Sequence, residues 1–235
     1  MNKKSNLLNT FLGLMLGVVS GIAFILAFPP FTIWPLIFIG WVPTLVAQHR
    51  IMPSKFSSLP TALAIGIWLE GYMGPIFNPT GSYMIYLPLA AALISLLVDM
   101  GKRKFNQKTH YRWFVLEGAL SWAGIEMIRL FIPIAGTWGF IAYPLYRQLW
   151  FIQPASIFGI IGQGMLIMTV NLVLAQGIIF WIDRAKDMEE KSNIAGKTVT
   201  RWANGTGIAL ILWTVLSLAL FQPAETPTVT AAAIQ

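Results

Sequence analysis

Long apolar stretches separated by short polar segments dominate the sequence. A helix needs about 20 mostly apolar residues to cross the hydrocarbon core of a bilayer. The pattern therefore predicts an all-α, polytopic bundle of about seven transmembrane helices. The predicted spans cover residues 7–28, 33–48, 59–77, 83–98, 113–132, 155–182 and 203–221. The second span is short and contains Pro35 and Pro43, whereas the sixth is long enough to tilt in the membrane.

Composition agrees with a membrane protein. Hydrophobic residues make up 56% of the chain and charged residues 11%, whereas soluble proteins carry about 25% charged residues. A soluble core of this composition would lack polar surface to cover it, but a bilayer accepts apolar side chains on every side of a helix. The chain has no Cys, which excludes disulfides, thiolate metal sites and a Cys nucleophile within it.

The first apolar stretch has two interpretations. Lys3 and Lys4 precede it, as in a secretory signal peptide. The stretch is too long for a typical signal core, however, and no clear small-x-small cleavage site precedes Pro29 and Pro30. We therefore expect it to be retained as the first helix.

The distribution of basic residues predicts an orientation. Cytoplasmic loops of membrane proteins are enriched in Lys and Arg. With seven spans and the N-terminus inside, only Arg129 and Arg147 of the 16 Lys and Arg residues fall on the outer side. We expect the N-terminus in the cytoplasm and the C-terminus outside. The net charge of +7 then reflects topology and does not indicate nucleic-acid binding.

The chain changes character after the seventh span, which divides it into a bundle at residues 1–221 and a tail at residues 222–235. Residues 222–228 contain two prolines and one Glu, which is typical of a linker. Residues 228–235 resemble the opening of a β-strand. A lone strand is not stable without partners.

Ionisable residues within predicted spans are candidates for function, because they are costly in a membrane. Glu126 and Arg129 are three residues apart and share a helix face, so they form either a structural ion pair or a site in which Arg129 contacts a lipid headgroup or an acidic substrate group. Glu117 is expected to be a solvated or paired charge near the inner end. Glu70 is either a buried helix contact or a cavity residue, and the sequence leaves both open.

Residues 132–153, called the aromatic segment below, are rich in aromatic residues and broken by glycine and proline. One interpretation is an interfacial belt with Trp138, Tyr143 and Trp150 at headgroup level. The other is a re-entrant or lid segment that lines a lipid-substrate cleft, with Arg147 on phosphate. Non-helical backbone at membrane depth requires protein or a cavity beside it.

Small and polar residues within the spans are predicted to pack helices. Gly13, Gly17 and Gly21 recur every four residues, and such residues allow helix backbones to approach closely. A second set, Gly159, Gly162 and Gly164, opens the sixth span and has the same interpretation, and Asn171 is expected to form an interhelical hydrogen bond. His49 and His110 fall in predicted loops and are not a plausible catalytic pair. The sequence predicts no metal site and no cofactor.

Four segments together resemble the apolipoprotein N-acyltransferase family. They are residues 27–36 (AFPPFTIWPL), residues 122–129 (WAGIEMIR), the run from Gly136 (GTWG) through Tyr143 and Gln153 to Gly159, Gly162 and Asn171, and residues 229–235 (VTAAAIQ). The last is similar to the first strand of the family's nitrilase-like domain. Their order and spacing make the resemblance specific, although residues 50–108 match weakly.

The resemblance implies a membrane bundle with a lipid cleft in a bacterial plasma (inner) membrane. In that family a Glu-Lys-Cys triad in the nitrilase-like domain transfers an acyl chain from phospholipid to the N-terminal Cys of a diacylated lipoprotein, through a thioester. Phospholipid and lipoprotein are thus the implied partners. The substrate or lipid-binding candidates are Glu126, Arg129, Trp138, Tyr143, Arg147 and Gln153.

This chain departs from the family because it has no Cys and therefore no triad. We expect it to be a truncated or split membrane portion that is inactive alone, with catalysis in a missing segment or a separate nitrilase-like chain. The alternative is a small proton-coupled transporter or a lipid-binding membrane scaffold, motivated by Glu70, Glu117 and Glu126.

Overall fold

The structure is a computed structural model, which describes residues 3–77, 86–133, 136–185 and 194–222. Within these ranges it is all-helical, as predicted, and contains no β-strand. The α-helices are α1 (Lys3–Ala27), α2 (Val42–Val46), α3 (Leu59–Phe77), α4 (Leu87–Val98), α5 (Lys102–Lys108), α6 (Phe114–Arg129), α7 (Leu149–Ile152), α8 (Ala155–Ala185) and α9 (Gly196–Leu220).

Three of these helices are long and apolar enough to cross a membrane, judged over the described residues. They are Asn6–Ala27 within α1, the whole of α8 and the whole of α9. The remaining predicted spans are shorter or interrupted helices: α4 has 12 described residues, and α3 contains Pro75. The seventh predicted span begins earlier than expected, at Gly196, because the helix continues past the apolar stretch into polar residues.

The glycine stripe of α1 packs against α3 and the chain before it, as predicted. A Cβ at Gly17 would lie 2.7 Å from the carbonyl oxygen of Pro60, and one at Gly21 would lie 2.8 Å from the side chain of Ile67. A Cβ at Gly13 would likewise overlap Met52. Because no side chain fits in these gaps, the two helices approach as closely as their backbones allow.

The second predicted span is broken rather than helical throughout. It consists of a 3-10 helix at Trp34–Phe38, the five-residue α2 and a π-helix at Ala47–Ile51. The side chain of Asn171 on α8 bonds the backbone at this break: its Oδ1 accepts from the Trp41 amide at 2.9 Å, and its Nδ2 donates to the Ile37 carbonyl at 2.7 Å. The interhelical role predicted for Asn171 is therefore confirmed.

The second half of the chain packs around α8, which contacts α6 and α9. Gly159 interrupts α8 with φ 67 and ψ 176, a conformation that favours glycine, so the helix bends near its start. Trp213 and Ser217 of α9 donate to the carbonyl groups of Phe151 and Trp150, and so join α9 to α7.

The predicted tail lies almost wholly outside the described residues. Phe221 and Gln222 follow α9 without regular structure, and residues 223–235 are not described. The linker and the strand resemblance at residues 228–235 remain predictions.

Candidate functional site

The aromatic segment lies across one end of α6, where Glu126 holds its backbone. Glu126 is 1% exposed, and its Oε1 accepts a hydrogen bond from the Ile141 amide at 3.0 Å. The carboxylate fits beside α8 because position 164 is glycine: a Cβ there would lie 2.8 Å from Glu126 Oε2. Glu126 and Gly164 thus form one structural unit with the segment.

Arg129 bonds the same segment one helical turn further on. Its Nη2 donates to the carbonyl oxygen of Trp138, and its guanidinium carbon lies 5.1 Å from the centre of the Phe140 ring. Glu126 and Arg129 therefore share a helix face, as predicted, but each bonds to the aromatic segment. The arrangement favours a structural role in which both side chains fix a non-helical backbone against the bundle.

The backbone of the aromatic segment also packs closely on α3. Gly139 has φ 65, in the left-handed region, and a Cβ there would lie 3.0 Å from the side chain of Leu69. Phe140, Ile141 and Leu145 are fully buried. Within the described residues the segment is therefore a packed part of the bundle.

The remaining predicted site residues lie along the same segment. Tyr143 begins a 3-10 helix, and its ring stacks on Phe140 at 6.0 Å between centres. Trp138 is 37% exposed. Arg147 is exposed beside the Tyr146 ring, and Gln153 Nε2 donates to the Leu149 carbonyl at 2.6 Å. The structure brings Glu126, Arg129, Trp138 and Tyr143 into one contact network, whereas Arg147 and Gln153 make local contacts.

An apolar groove of about 760 Å³ runs between α1, α3 and α4. Leu14, Leu63 and Leu89 line it, one from each helix. Glu70, which the sequence left open as a helix contact or a cavity residue, is exposed and lines this groove. The volume lies within the range of about 300–1,000 Å³ that is usual for small-molecule sites.

A buried polar cluster at the opposite end was not predicted. We call this the basic end, because it carries Arg50, Lys55, α5 and Arg184. Arg50 and Asp183 form an ion pair whose side chains are 2% and 3% exposed, with a second contact of 2.7 Å between Arg50 Nη2 and Asp183 Oδ2. Arg50 also donates to the hydroxyl of Tyr111.

His49 belongs to this cluster and lies in the π-helix, so the prediction that it falls in a loop was wrong. It is 2% exposed because the π-helix turns it inward, where its Nδ1 lies 3.3 Å from the Tyr111 hydroxyl. Burial lowers the pKa of His49 well below its usual range, and the neighbouring positive charges of Arg50, Arg103 and Lys102 add to the effect.

His110 and Tyr111 both have positive φ, and such strain at non-glycine residues tends to mark functional sites.

Glu117 is a paired charge, one of the two roles predicted for it. Its carboxylate accepts from Ser121 at 3.0 Å and from Asn106 at 3.3 Å, and lies 4.0 Å from Lys102 Nζ. Lys102 also pairs with Asp99 at 2.8 Å, and Asp99 accepts from Gln48 Nε2 at 3.2 Å. One sequence signal for this cluster existed: the polar run Gln48, His49 and Arg50 directly follows an apolar stretch.

A model of the apolipoprotein N-acyltransferase N-terminal domain matches residues 20–173, which contain the groove residues from α3 and α4 and most of the aromatic segment's contacts. The chain belongs to the apolipoprotein N-acyltransferase family. The resemblance seen in the sequence is thereby confirmed.

Two relatives show how much of a family member this chain represents. It is 29% identical over 174 residues to the apolipoprotein N-acyltransferase of Geobacter metallireducens, a match covering 68% of this chain and 32% of that protein. It is 27% identical over 166 residues to the apolipoprotein N-acyltransferase of Rhodopirellula baltica, covering 66% and 29%. The chain thus spans about a third of the length of these curated relatives. No solved structure matches it significantly.

Proposed function

We propose that this chain is the membrane portion of an apolipoprotein N-acyltransferase and that it binds the phospholipid acyl donor. Membership of the family carries this proposal, since the matched residues 20–173 form the helical N-terminal domain. The aromatic segment and the groove supply two surfaces on which such a domain can hold lipid. The diacylated lipoprotein is the proposed acceptor.

The groove between α1, α3 and α4 is the proposed place for an acyl chain. Its described lining is apolar except for Glu70, and it lies on the outside of the bundle, where lipid has direct access. An acyl chain would gain dispersion contacts with the leucines of three helices. Glu70 then stands at the level where a polar headgroup or ester would meet the apolar groove.

The proposed topology follows the positive-inside rule. Arg50, Lys55 and the basic helix α5 all lie at the basic end, which we place in the cytoplasm, with the aromatic segment at the outer face. The chain then crosses the bacterial plasma (inner) membrane several times.

Acyl transfer by these 235 residues alone is not expected. The proposed chemistry passes through a thioester on a Cys, and the sequence contains no Cys. The thiolate therefore has to come from a nitrilase-like segment outside this sequence, either in the same polypeptide or in a separate chain. The contacts of Glu126 and Glu117 weaken the transporter alternative, because both carboxylates have structural partners.

Photo-crosslinking with a phospholipid that carries a reactive group in its acyl chain tests lipid binding. Substituting Gly66→Leu narrows the groove beside Ala92, and the side chain can be accommodated because a Cβ at Gly66 meets only the Ala92 methyl, at 3.4 Å. We expect this variant to lose labelling of α3 and α4 peptides, while the control Gly205→Leu on α9 keeps it. Equal labelling in both variants would contradict the groove assignment.

A separate assay tests the chemistry. The purified chain is incubated with phospholipid and a diacylated lipopeptide, and triacylated product is measured by mass spectrometry. We expect no transfer. Robust transfer would show that these residues catalyse the reaction without a thiol.

A further inference from the structure

Exposed basic and aromatic side chains lie side by side at the basic end. Seven described Lys and Arg residues are exposed there, namely Lys55, Lys104, Lys108, Arg112, Arg184, Lys197 and Arg201. Three exposed rings, Phe56, Phe105 and Trp113, each directly follow one of these bases and are 42%, 45% and 44% exposed. We call the following residues the basic–aromatic surface: Lys55, Phe56, Lys104, Phe105, Lys108, Arg112 and Trp113.

Helix α5, at the centre of this surface, has an inner and an outer side. On the inner side, Asn106 is fully buried and donates to the carboxylate of Glu117 at 3.3 Å. On the outer side, Lys104, Phe105 and Lys108 are exposed, and positions 104 and 108 share a helix face because they are four residues apart. The fold therefore uses one side of α5 and leaves the basic side open to a partner.

The backbone contacts of α5 bring the other members of the surface beside it. Arg103 donates to the carbonyl oxygen of Met52, which places α5 against the 3-10 helix Ser54–Phe56. The Tyr111 amide donates to the Asn106 carbonyl at 2.8 Å, so the chain folds back onto α5 before it reaches α6. The basic–aromatic surface therefore lies around α5.

The carboxylates at this end do not neutralise the exposed bases. Three carboxylates are described here, and each already pairs with Arg50 or Lys102: Asp99, Glu117 and Asp183. Residues 186–193, which are not described, contain two Lys, one Asp and two Glu, and their net charge of −1 is too small to balance seven exposed bases. The surface therefore attracts an anionic partner.

The exposed rings indicate that this partner is a membrane. Phe56 lies three residues before α3 begins and Trp113 directly precedes α6, so both rings lie where an apolar helix ends. Lys55 Nζ is 5.7 Å from the centre of the Phe56 ring, and the Arg112 guanidinium carbon is 5.3 Å from the centre of the Trp113 ring. Rings and charges thus share one level, and aromatic side chains favour the headgroup level of a bilayer.

We infer that the basic–aromatic surface binds the phosphate headgroups of anionic phospholipids, in the leaflet opposite the aromatic segment. Clusters of basic residues next to membrane helices recognise anionic lipids through their charge. A helix as short as α5, with seven residues, is not stable by itself. Headgroups would then hold its outer side while Arg103 and Asn106 hold its inner side. The assignment of this leaflet to the cytoplasm rests on the topology proposed above.

A lipid titration tests this inference. Dioctanoyl phosphatidylglycerol is added to the purified chain in a neutral detergent, and the complex is quantified by native mass spectrometry. The variant Lys104→Gln/Lys108→Gln removes two charges from the outer side of α5. Because each basic residue near anionic headgroups strengthens binding about 5-fold, we expect the affinity of this variant to fall about 30-fold.

Three controls accompany the titration. Lys104→Arg/Lys108→Arg keeps both charges and should bind like the wild type. Lys3→Gln/Lys4→Gln removes the same charge from the start of α1 and should change the affinity much less. Dioctanoyl phosphatidylcholine has the same acyl chains but no net charge and should bind weakly. Without lipid, the unfolding midpoint of the Gln variant should match the wild type, because both lysines are exposed.

Several outcomes would overturn the inference. Wild-type affinity in Lys104→Gln/Lys108→Gln would remove α5 from the lipid-binding surface, and an equal loss in the Lys3 and Lys4 control would show that only total charge matters. Equal binding of phosphatidylcholine would mean that the headgroup charge is not recognised. Full competition by inorganic phosphate or by a short oligonucleotide, at the concentration of the lipid, would replace the membrane with a soluble phosphate compound as the partner.

The groove proposal can fail independently of this one, because no described lining residue of the groove belongs to the basic–aromatic surface. If the wild type binds phosphatidylglycerol but shows no acyl-chain labelling of α3 and α4, only the groove assignment is overturned. If Lys104→Gln/Lys108→Gln loses both phosphatidylglycerol binding and acyl-chain labelling, one site holds the whole lipid, which would contradict a separate headgroup surface.

Discussion

The two ends of the bundle use charged side chains differently. At the aromatic end, Glu126 and Arg129 bond to the backbone of residues 138–141, so charge holds a non-helical segment in place. At the basic end, Arg50 and Asp183 bond to each other across 133 residues, so charge joins distant elements. The first arrangement holds the aromatic segment against the bundle, whereas the second fixes the position of α8 against the broken second span.

The largest effect should follow from breaking the ion pair of the basic end. Asp183→Ala leaves the Arg50 guanidinium buried without its carboxylate, which should lower the free energy of unfolding by about 3–5 kcal/mol. Thermal unfolding in detergent measures this loss. The double variant Arg50→Met/Asp183→Leu should recover most of it, since no charge is then buried. An unchanged unfolding midpoint in Asp183→Ala would show that the Arg50–Asp183 ion pair contributes little to stability.

A smaller effect is expected at the aromatic end. Glu126→Ala leaves the Ile141 amide without its acceptor, which should cost about 1–3 kcal/mol and expose the aromatic segment to limited proteolysis. Glu126→Gln retains an acceptor oxygen of the same shape and should behave like the wild type. If Glu126→Gln instead abolished lipid labelling while stability was kept, the negative charge would have a functional role beyond holding the segment.

The basic end should also respond to pH through His49. The pKa of His49 in the folded protein is lowered relative to the unfolded value of 6.5. As pH falls through 6.5, the imidazole therefore becomes protonated in the unfolded chain but not in the folded one. The contribution of His49 to the free energy of unfolding is therefore fully present above pH 6.5. Below pH 6.5 the free energy of unfolding falls by at most about 1.4 kcal/mol per pH unit, because one proton is involved. His49→Gln should flatten unfolding midpoints measured between pH 5 and 7. If the unfolding midpoint of His49→Gln depended on pH as steeply as that of the wild type, the pH dependence would come from another group.

The smallest effect on stability is expected for Arg147. It is exposed and stacks on Tyr146, so Arg147→Ala should cost at most about 1 kcal/mol. Phospholipid photo-crosslinking then tests whether Arg147 binds lipid. If Arg147 contacts phosphate, labelling falls while the unfolding midpoint stays, and unchanged labelling would remove Arg147 from the lipid-binding residues.

Local patterns were sufficient for several structural predictions. The four-residue glycine repeat of α1 identified a helix-packing face, because residues four apart share a face whatever the partner is. Asn171 was assigned to an interhelical bond because an amide in an apolar helix needs a partner. The family resemblance rested on segments spread along the chain, and the match to residues 20–173 confirmed it.

Other features depended on contacts that no local pattern contains. His49 appeared to belong to a loop because polar residues surround it in sequence, yet the π-helix and Tyr111 bury it. Glu126 and Arg129 had the right spacing to pair, but each found a partner in the aromatic segment. Spacing shows which side chains share a face and cannot show what lies opposite that face.

The sequence by itself determined a helical membrane protein of the apolipoprotein N-acyltransferase family and the absence of a thiol, since composition, apolar length and motif order are properties of the chain alone. Tertiary structure alone decided that the second apolar stretch is broken, that Arg50 meets Asp183, and that Glu126 bonds the aromatic segment. The physical reason is that burial and hydrogen-bond partnership arise between residues far apart in sequence, and only the packed bundle brings them together.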